Sequence, residues 1–250
     1  MEGTNNDSEA FRSFQESGFE PRYIHIWEIE HSRTSLEDYS VLFIPGGFSA
    51  GDYVRAGAIF ALRLKNSSEH ILRRMVEDGV PVIGACNGFQ VLTETGMIGS
   101  SYGRRDIALG VNQSGKFECR TVYIKYTGRN RIFDGIISRN SIFEIPVAHK
   151  EGNIRFINDT IMNDLVDEGR NLFTYFDPTG SGSSYPWNPN GSVHDIAGIS
   201  GEFGNIIGLM PHPERIFYRY QLSTNGKIKE VQPFGQLFFS ALRKYAERRN

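Results

Sequence analysis

Short apolar runs and segments of helical spacing alternate along the first half of the chain. Residues 41–44 and 80–85 are mainly apolar and end at turn-forming residues. Runs of this length are typical of strands that are buried on both faces of a parallel sheet. Residues 56–65, 69–77 and 88–95 have the apolar spacing of helices. This alternation predicts βαβ units, with helices on both faces of the sheet.

The beginning of the chain departs from that order. Asn6 or Asp7 is a candidate cap for a helix that ends near Gly18, and residues 23–29 have the composition of a strand. A right-handed crossover from the helix to a parallel strand requires another strand before the helix. We therefore expect a central strand of about five to seven residues to be missing upstream of Met1. Its absence would leave a slot beside residues 41–44 and 80–85.

The second half of the chain has antiparallel character. Residues 117–126 and 141–148 alternate between apolar and polar, while residues 195–200 and 205–210 predict a hairpin. Residues 177–192, rich in Gly, Ser, Pro and Asn, form a loop that is either functional or mobile. Residues 234–248 have helical spacing. We predict a single α/β domain over residues 1–250, with a mostly parallel sheet flanked by helices and added antiparallel strands.

Composition limits the function classes. The chain has 250 residues, 39% of them hydrophobic, and a formal net charge of −2, which gives no support to nucleic-acid binding. No apolar run is long enough to span a bilayer, and the polar N-terminus is unlike a signal peptide. Two cysteines do not form a disulfide framework, so we expect a cytoplasmic protein with reduced thiols.

The strongest chemical signal is a cysteine at a strand-to-helix turn. Residues 80–85 lead directly into Cys86, and Gly84 and Gly88 flank it at a distance of two residues. Such a turn lifts the thiol out of the sheet, and the helix N-terminus favours the thiolate. The backbone N–H of Asn87 can point at an oxyanion. The alternative interpretation is a buried, inert cysteine, which is what most free cysteines are.

A thiolate nucleophile needs a base and a group that orients the base. His212 and Glu214 lie in the segment MPHPER, whose prolines predict an extended backbone. Residues i and i+2 of an extended segment lie on one side, so both side chains can face Cys86. Without Cys86, a surface turn with a salt-bridged histidine would be the simpler interpretation.

A second glycine-rich segment, GFSAG, matches the serine-hydrolase pattern around Ser49. The match is weak because Pro45 ends the strand before the serine is reached. Gly46 and Gly47 more plausibly let backbone N–H groups approach a substrate oxygen, as the second half of an oxyanion hole. The histidines are scattered, the cysteines lack nearby ligand partners, and no P-loop is present, so we expect no metal or ATP site in this chain.

Three segments together resemble a known family: residues 45–53 (PGGFSAGDY), 84–90 (GACNGFQ) and 210–215 (MPHPER). They are similar to the glutaminase subunits of phosphoribosylformylglycinamidine synthase, within the class I glutamine amidotransferases. The resemblance covers nearly the whole chain, although residues 177–190 are longer than in the shortest members and resemble the large, single-chain form of the synthetase.

The resemblance implies a flavodoxin-like fold and assigns residue roles. Cys86 is expected to be the nucleophile, with His212 and Glu214 completing the triad. The oxyanion and substrate-binding residues are expected to be Gly46, Gly47, Asn87 and Gln90.

The resemblance also implies partners. L-glutamine would be hydrolysed through a thioester, and ammonia would pass to a large synthetase subunit, with a small third subunit in many organisms. The synthetase would use ATP and magnesium to convert formylglycinamide ribonucleotide to its amidine in purine biosynthesis, and this chain would need no cofactor. We expect weak activity of the isolated chain and activation in the complex.

Three rival functions are weighed against this one. Cysteine peptidases or stress proteins of the same superfamily place a histidine soon after the cysteine, and no histidine follows Cys86 closely. A serine hydrolase would use Ser49. A catalytically inactive binding subunit is disfavoured by the intact triad.

Overall fold

The computed structural model describes residues 1–180, 182, 184–223 and 232–249. The strands are β1 (Leu42–Ile44), β2 (Val82–Ala85), β3 (Ile107–Val111), β4 (Glu118–Tyr126), β5 (Ile142–His149), β6 (Glu151–Phe156), β7 (Phe173–Phe176), β8 (Ile196–Ser200) and β9 (Ile206–Leu209). The α-helices are α1 (Asp7–Glu16), α2 (Ile26–Glu30), α3 (Ala58–Glu77), α4 (Asn87–Thr95), α5 (Asp159–Asp167) and α6 (Phe234–Arg249). Within the described ranges, no helix is both long and apolar enough to cross a bilayer.

A seven-stranded sheet in the order β1-β2-β9-β8-β7-β4-β5 forms the centre of the fold. β1, β2 and β9 are parallel, whereas every pairing from β9 to β5 is antiparallel. The sheet is therefore mixed, with less parallel pairing than the sequence predicts. The reason is that the chain after α4 returns through antiparallel connections such as the β8–β9 hairpin. This hairpin confirms the one predicted over residues 195–200 and 205–210. β3 and β6 form a separate antiparallel pair.

Helices cover both faces of the sheet, as predicted. On one face, Phe14 of α1 and Phe238 of α6 belong to an aromatic-rich core that includes Ile207 of β9. On the other, Leu72 of α3 and Phe89 of α4 are buried. Burial of both faces explains why β2 and β9 are continuous apolar segments.

One of two local predictions is wrong. Residues 23–29 do not form a strand, because helix α2 begins within them. His25 accepts a hydrogen bond from the Trp27 N–H (3.3 Å), and Glu28 accepts one from the His25 N–H (3.0 Å), which together cap α2. The two helices predicted over residues 56–65 and 69–77 are confirmed as the two parts of α3, which are separated by a kink with a non-helical backbone at Ser68. There the Ser68 hydroxyl donates to the carbonyl of Leu64 (2.7 Å), which compensates for the interruption.

The first helix begins where it was expected, but without the predicted side-chain cap. Asn6 is the N-cap residue of α1, with a left-handed backbone and no side-chain capping hydrogen bond. Its backbone carbonyl accepts from the Ala10 N–H (3.1 Å), so the first turn of α1 is closed by the main chain alone.

A groove of about 420 Å³ runs beside β1, lined by α1, by residues 19–26 and by β1 itself. In the part of the chain that the structure describes, β1 pairs with β2 and with no other strand, so its second edge faces this groove. β2 is paired on both sides, by β1 and β9. A gap therefore lies beside β1, at the edge of the sheet rather than at its centre. The strand expected upstream of Met1 stays a prediction.

Candidate active site

Cys86 lies at the turn between β2 and α4. Its backbone has φ 51° and ψ −107°, a left-handed conformation that is unusual for a non-glycine residue. A Cβ atom at Gly84 would lie 2.5 Å from the Gly88 carbonyl, and one at Gly88 would lie only 1.9 Å from the Ile44 oxygen. The glycines on either side of Cys86 therefore allow strand and helix to approach closely, as the sequence predicts.

His212 and Glu214 lie together in the interior. The Nδ1 of His212 is 2.6 Å from the Oε1 of Glu214, and both side chains are almost completely buried. The prediction that this segment is extended holds only in part. His212 is extended, but a 3-10 turn begins at Pro213. The hydrogen bond from the His212 N–H to the carbonyl of Pro146 (3.0 Å) fixes the backbone instead.

The pKa of His212 is raised by its neighbours. Burial by itself would lower this pKa, but the negative charges of Glu214 and Cys86 outweigh burial and raise it to about 10. The Nε2 atom of His212 is buried and has no hydrogen-bond partner among the described residues. The raised pKa favours a protonated imidazole, which can pair with a thiolate at Cys86.

The side chains of Cys86 and His212 both lie next to Gly46. The Cys86 Sγ lies 3.5 Å from the carbonyl oxygen of Ala148. A Cβ atom at Gly46 would lie 2.8 Å from His212 Cε1 and 3.4 Å from Cys86 Cβ. Only a residue without a side chain fits there, so Gly46 keeps the space between the two reactive groups open.

Two backbone N–H groups are placed as candidate oxyanion donors. The N–H groups of Gly47 and Asn87 make no hydrogen bond to any other residue that the structure describes. Asn87 is the first residue of α4, and N–H groups at a helix N-terminus have no partner within the helix. Gly47 has φ 128°, and a Cβ atom there would meet the Asn5 nitrogen at 2.4 Å. Both N–H groups are therefore available to donate a hydrogen bond to a bound substrate.

The Gln90 side chain is fixed at the edge of this space. Its amide nitrogen donates to the carbonyl of Glu151 (2.6 Å), and its oxygen accepts from the Asn87 side chain (2.8 Å). The Asn87 side-chain oxygen in turn accepts from the Ser49 N–H (3.3 Å). These bonds connect the two glycine-containing segments across the site.

Ser49 lacks the features of a nucleophile. Its hydroxyl is buried and has no hydrogen-bond partner among the residues described here, so no histidine activates it. It lies in a 3-10 turn rather than at a strand-to-helix elbow. The geometry gives the serine-hydrolase alternative no support.

Sequence reasoning missed two ionisable groups next to the site, one buried (His149) and one half-buried (Asp52). His149 has its Nδ1 bonded to Asn112 (3.0 Å), and burial, followed by the charge of His212, lowers its pKa to about 3. Burial and the charge of Glu151 raise the pKa of Asp52 to about 6. Asp52 lies in the segment 45–53 that resembles the family, which was its only available signal. Across the described ranges, no group of three or more His, Cys, Asp or Glu side chains is arranged to hold a metal ion.

Comparison with known proteins identifies the family. A family model described as a CobB/CobQ-like glutamine amidotransferase domain matches residues 1–246. The chain belongs to this family. This match confirms the predicted glutamine amidotransferase class. Together with the structural likeness described next, it also confirms the predicted flavodoxin-like α/β fold.

Specific members of the amidotransferase family are closely similar. Phosphoribosylformylglycinamidine synthase subunit PurQ of Picrophilus torridus is 48% identical over 242 residues, which cover 97% of this chain and 94% of that protein. The subunit of the same name from Archaeoglobus fulgidus is 36% identical over 263 residues, covering 99% and 95%. A solved structure described as PurLQS from Thermotoga maritima has a TM-score of 0.74 at 30% identity, covering 97% of this chain and 94% of that chain.

Proposed function

We propose that this glutamine amidotransferase hydrolyses L-glutamine at Cys86, with His212 and Glu214 as the other members of the triad, and supplies ammonia to phosphoribosylformylglycinamidine synthase. The observation that carries the proposal is the elbow cysteine in a left-handed conformation beside a buried His212–Glu214 pair. This geometry suits acyl transfer to a thiolate.

The first step forms a thioester. The Cys86 thiolate attacks the carboxamide carbon of glutamine, and the developing oxyanion accepts hydrogen bonds from the N–H groups of Gly47 and Asn87. His212 donates its Nε2 proton to the carboxamide nitrogen as the C–N bond breaks, and ammonia leaves. Glu214 holds the imidazole by its Nδ1–H throughout.

The second step releases glutamate. Water attacks the thioester carbon, and the neutral His212 takes a proton from this water. The C–S bond breaks, which regenerates the Cys86 thiolate and the protonated His212. Gln90 and the opening at Gly46 position the glutamine side chain for both steps.

The ammonia acceptor is a separate synthetase in this proposal. Curated relatives are named as subunits of phosphoribosylformylglycinamidine synthase, which supports a large ATP-dependent synthetase subunit and a small third subunit as partners. The synthetase would use ATP and magnesium to convert formylglycinamide ribonucleotide to formylglycinamidine ribonucleotide in purine biosynthesis.

The proposal also concerns the setting of the chain. We propose that residues 1–250 act as one catalytic domain, which the sheet supports because its strands come from both halves of the chain. The reaction would take place in the cytoplasm, where Cys86 and Cys119 stay reduced; both are free cysteines here.

Kinetics of triad variants test the proposal. In the presence of the cognate synthetase, Cys86→Ala should abolish glutamine hydrolysis, and Glu214→Gln should lower kcat by about 100-fold or more because His212 loses its orienting charge. Cys119→Ala is the matched control, since Cys119 is an exposed cysteine on β4, and it should change the rate by less than about two-fold. Residual hydrolysis by Cys86→Ala near the control level would refute the assignment.

A further inference from the structure

A single exposed loop tip stands out on the surface near the site. We call residues 46–54 the glycine loop and residues 50–54 its tip. Val54 is 90% exposed and Tyr53 is 75% exposed, more than any other large hydrophobic side chain of the described residues. Phe48, at 46%, adds a third exposed apolar side chain to the same loop. Exposed aromatic and aliphatic side chains grouped in this way are typical of contact surfaces.

The tip is also conformationally strained. Ala50, Asp52 and Val54 have φ values of 54°, 52° and 73°, in the left-handed region that disfavours residues with a side chain. Val54 is the extreme case because its Cβ is branched. Each such residue costs about 1–3 kcal/mol, and strain of this kind persists at ligand clamps and switch segments. The chain thus holds an apolar side chain in solvent through an unfavourable backbone.

The glycine loop is fixed up to Ala50, the first residue of the tip, and again after the tip. The N–H groups of Phe48 and Ala50 donate to the carbonyls of Gly3 (2.7 Å) and Glu2 (2.9 Å). After it, the Arg55 side chain pairs with Glu94 (2.6 Å).

After Ala50, the backbone hydrogen bonds of the tip are local ones. The Tyr53 N–H donates to Ala50 (3.5 Å), and the Arg55 N–H donates to Tyr53 (3.0 Å). The tip can therefore change conformation while both ends keep their places.

The same loop carries a candidate oxyanion donor. Gly47 lies three residues before the tip, and Ser49 is bonded to the Asn87 side chain beside the elbow. Within the tip, the Oδ1 atom of Asp52 is buried without a hydrogen-bond partner among the described residues. A donor supplied from outside would satisfy this oxygen. Movement of the tip would thus reach both halves of the oxyanion hole.

We propose that the tip, through Tyr53 and Val54, is the contact by which the ATP-dependent synthetase subunit docks on this chain and sets the glycine loop for catalysis. This inference rests on the proposed function, because ammonia reaches an acceptor without loss only if the acceptor subunit covers the mouth of the glutaminase site. The synthetase would provide an apolar pocket for the two side chains and a hydrogen-bond donor for Asp52.

Binding of the cognate synthetase subunit to tip variants tests this proposal. Tyr53→Ala and Val54→Asp should each weaken the dissociation constant, measured by titration calorimetry, by about ten-fold or more. Ile157→Asp is the matched control: Ile157 is 72% exposed but lies just beyond the far end of β6, roughly 20 Å along the chain direction from Glu151. It should change the dissociation constant by less than about two-fold.

Glutamine hydrolysis separates docking from catalysis. Without the synthetase, both tip variants should hydrolyse glutamine at the wild-type basal rate, and with it they should lose most of the stimulation. Val54→Gly, which keeps the fold by removing backbone strain, should also bind more weakly. Tip variants that bind as tightly as Ile157→Asp, or that lose basal and stimulated rates equally, would overturn the docking role. Absence of hydrolysis by the wild-type complex would instead refute the proposed function itself.

Discussion

β1 and β2 are neighbouring parallel strands, yet the segments that follow them differ greatly. β2 is paired on both edges and leads into an elbow in which Cys86, Asn87 and Gly88 are all buried. Among the described residues, β1 is paired on one edge only, and it leads into the glycine loop, whose tip is exposed and strained. The proposed oxyanion hole takes one N–H from each segment. We infer that the elbow supplies the fixed half of the site and the glycine loop the adjustable half.

The largest expected effect comes from narrowing the space between the two segments. Gly46→Ala should lower kcat/KM for glutamine by about 100-fold, because the added Cβ would lie 2.8 Å from His212 Cε1. Gly110→Ala is the control, since its Cβ would meet nothing closer than 3.8 Å. Steady-state hydrolysis with the synthetase present checks both variants. Similar rates for the two would show that the gap at Gly46 is not needed.

Pairing an added strand with the second edge of β1 should make β1 resemble β2, which is paired on both edges. The groove beside β1 is bordered by Met1, so an apolar, strand-forming extension of about six residues before Met1 can reach it. We expect Tm to rise by roughly 5 °C through added pairing and apolar burial. An extension of equal length with alternating lysines should give no gain. An equal Tm for both extensions would argue against a strand-sized slot.

Some of this contrast was predictable from the sequence and some was not. The elbow could be predicted because Gly84 and Gly88 flank the cysteine at the spacing that close approach of strand and helix requires. The strain of the tip could not be predicted, because nothing in the sequence indicates that Val54 has a positive φ. Residues 23–29 were misread because the five-residue helix α2 has the same apolar composition as a short strand. The His212–Glu214 contact was anticipated, but through an extended backbone rather than a 3-10 turn.

A smaller effect is expected from relieving the strain of the tip. Val54→Gly should raise the free energy of unfolding by about 1 kcal/mol, because glycine adopts a positive φ without steric cost. Val111→Gly is the opposite control, as Val111 is 51% exposed at the end of β3 and has no positive φ. It should lower the same quantity by about 0.5–1 kcal/mol. Urea unfolding of both variants measures the difference, and a loss of stability in Val54→Gly would contradict the strain.

A further prediction concerns pH. The pKa of His212 is raised from 6.5 to about 10 in the folded chain. Its stabilising contribution is therefore complete below about pH 6.5 and is lost as pH rises through about 10. The stability difference between wild type and His212→Gln should shrink between pH 7 and pH 10. A difference that stays constant or grows over this range would show that the imidazole is not held as a cation.

The central claim is that Cys86 forms a thioester with glutamine. The most direct measurement is acid quenching of the complex with the cognate synthetase during turnover of labelled glutamine, followed by peptide mapping. The account predicts label on the peptide that contains Cys86. Label on Cys119 or Ser49, or none on Cys86 while hydrolysis proceeds, would contradict the account.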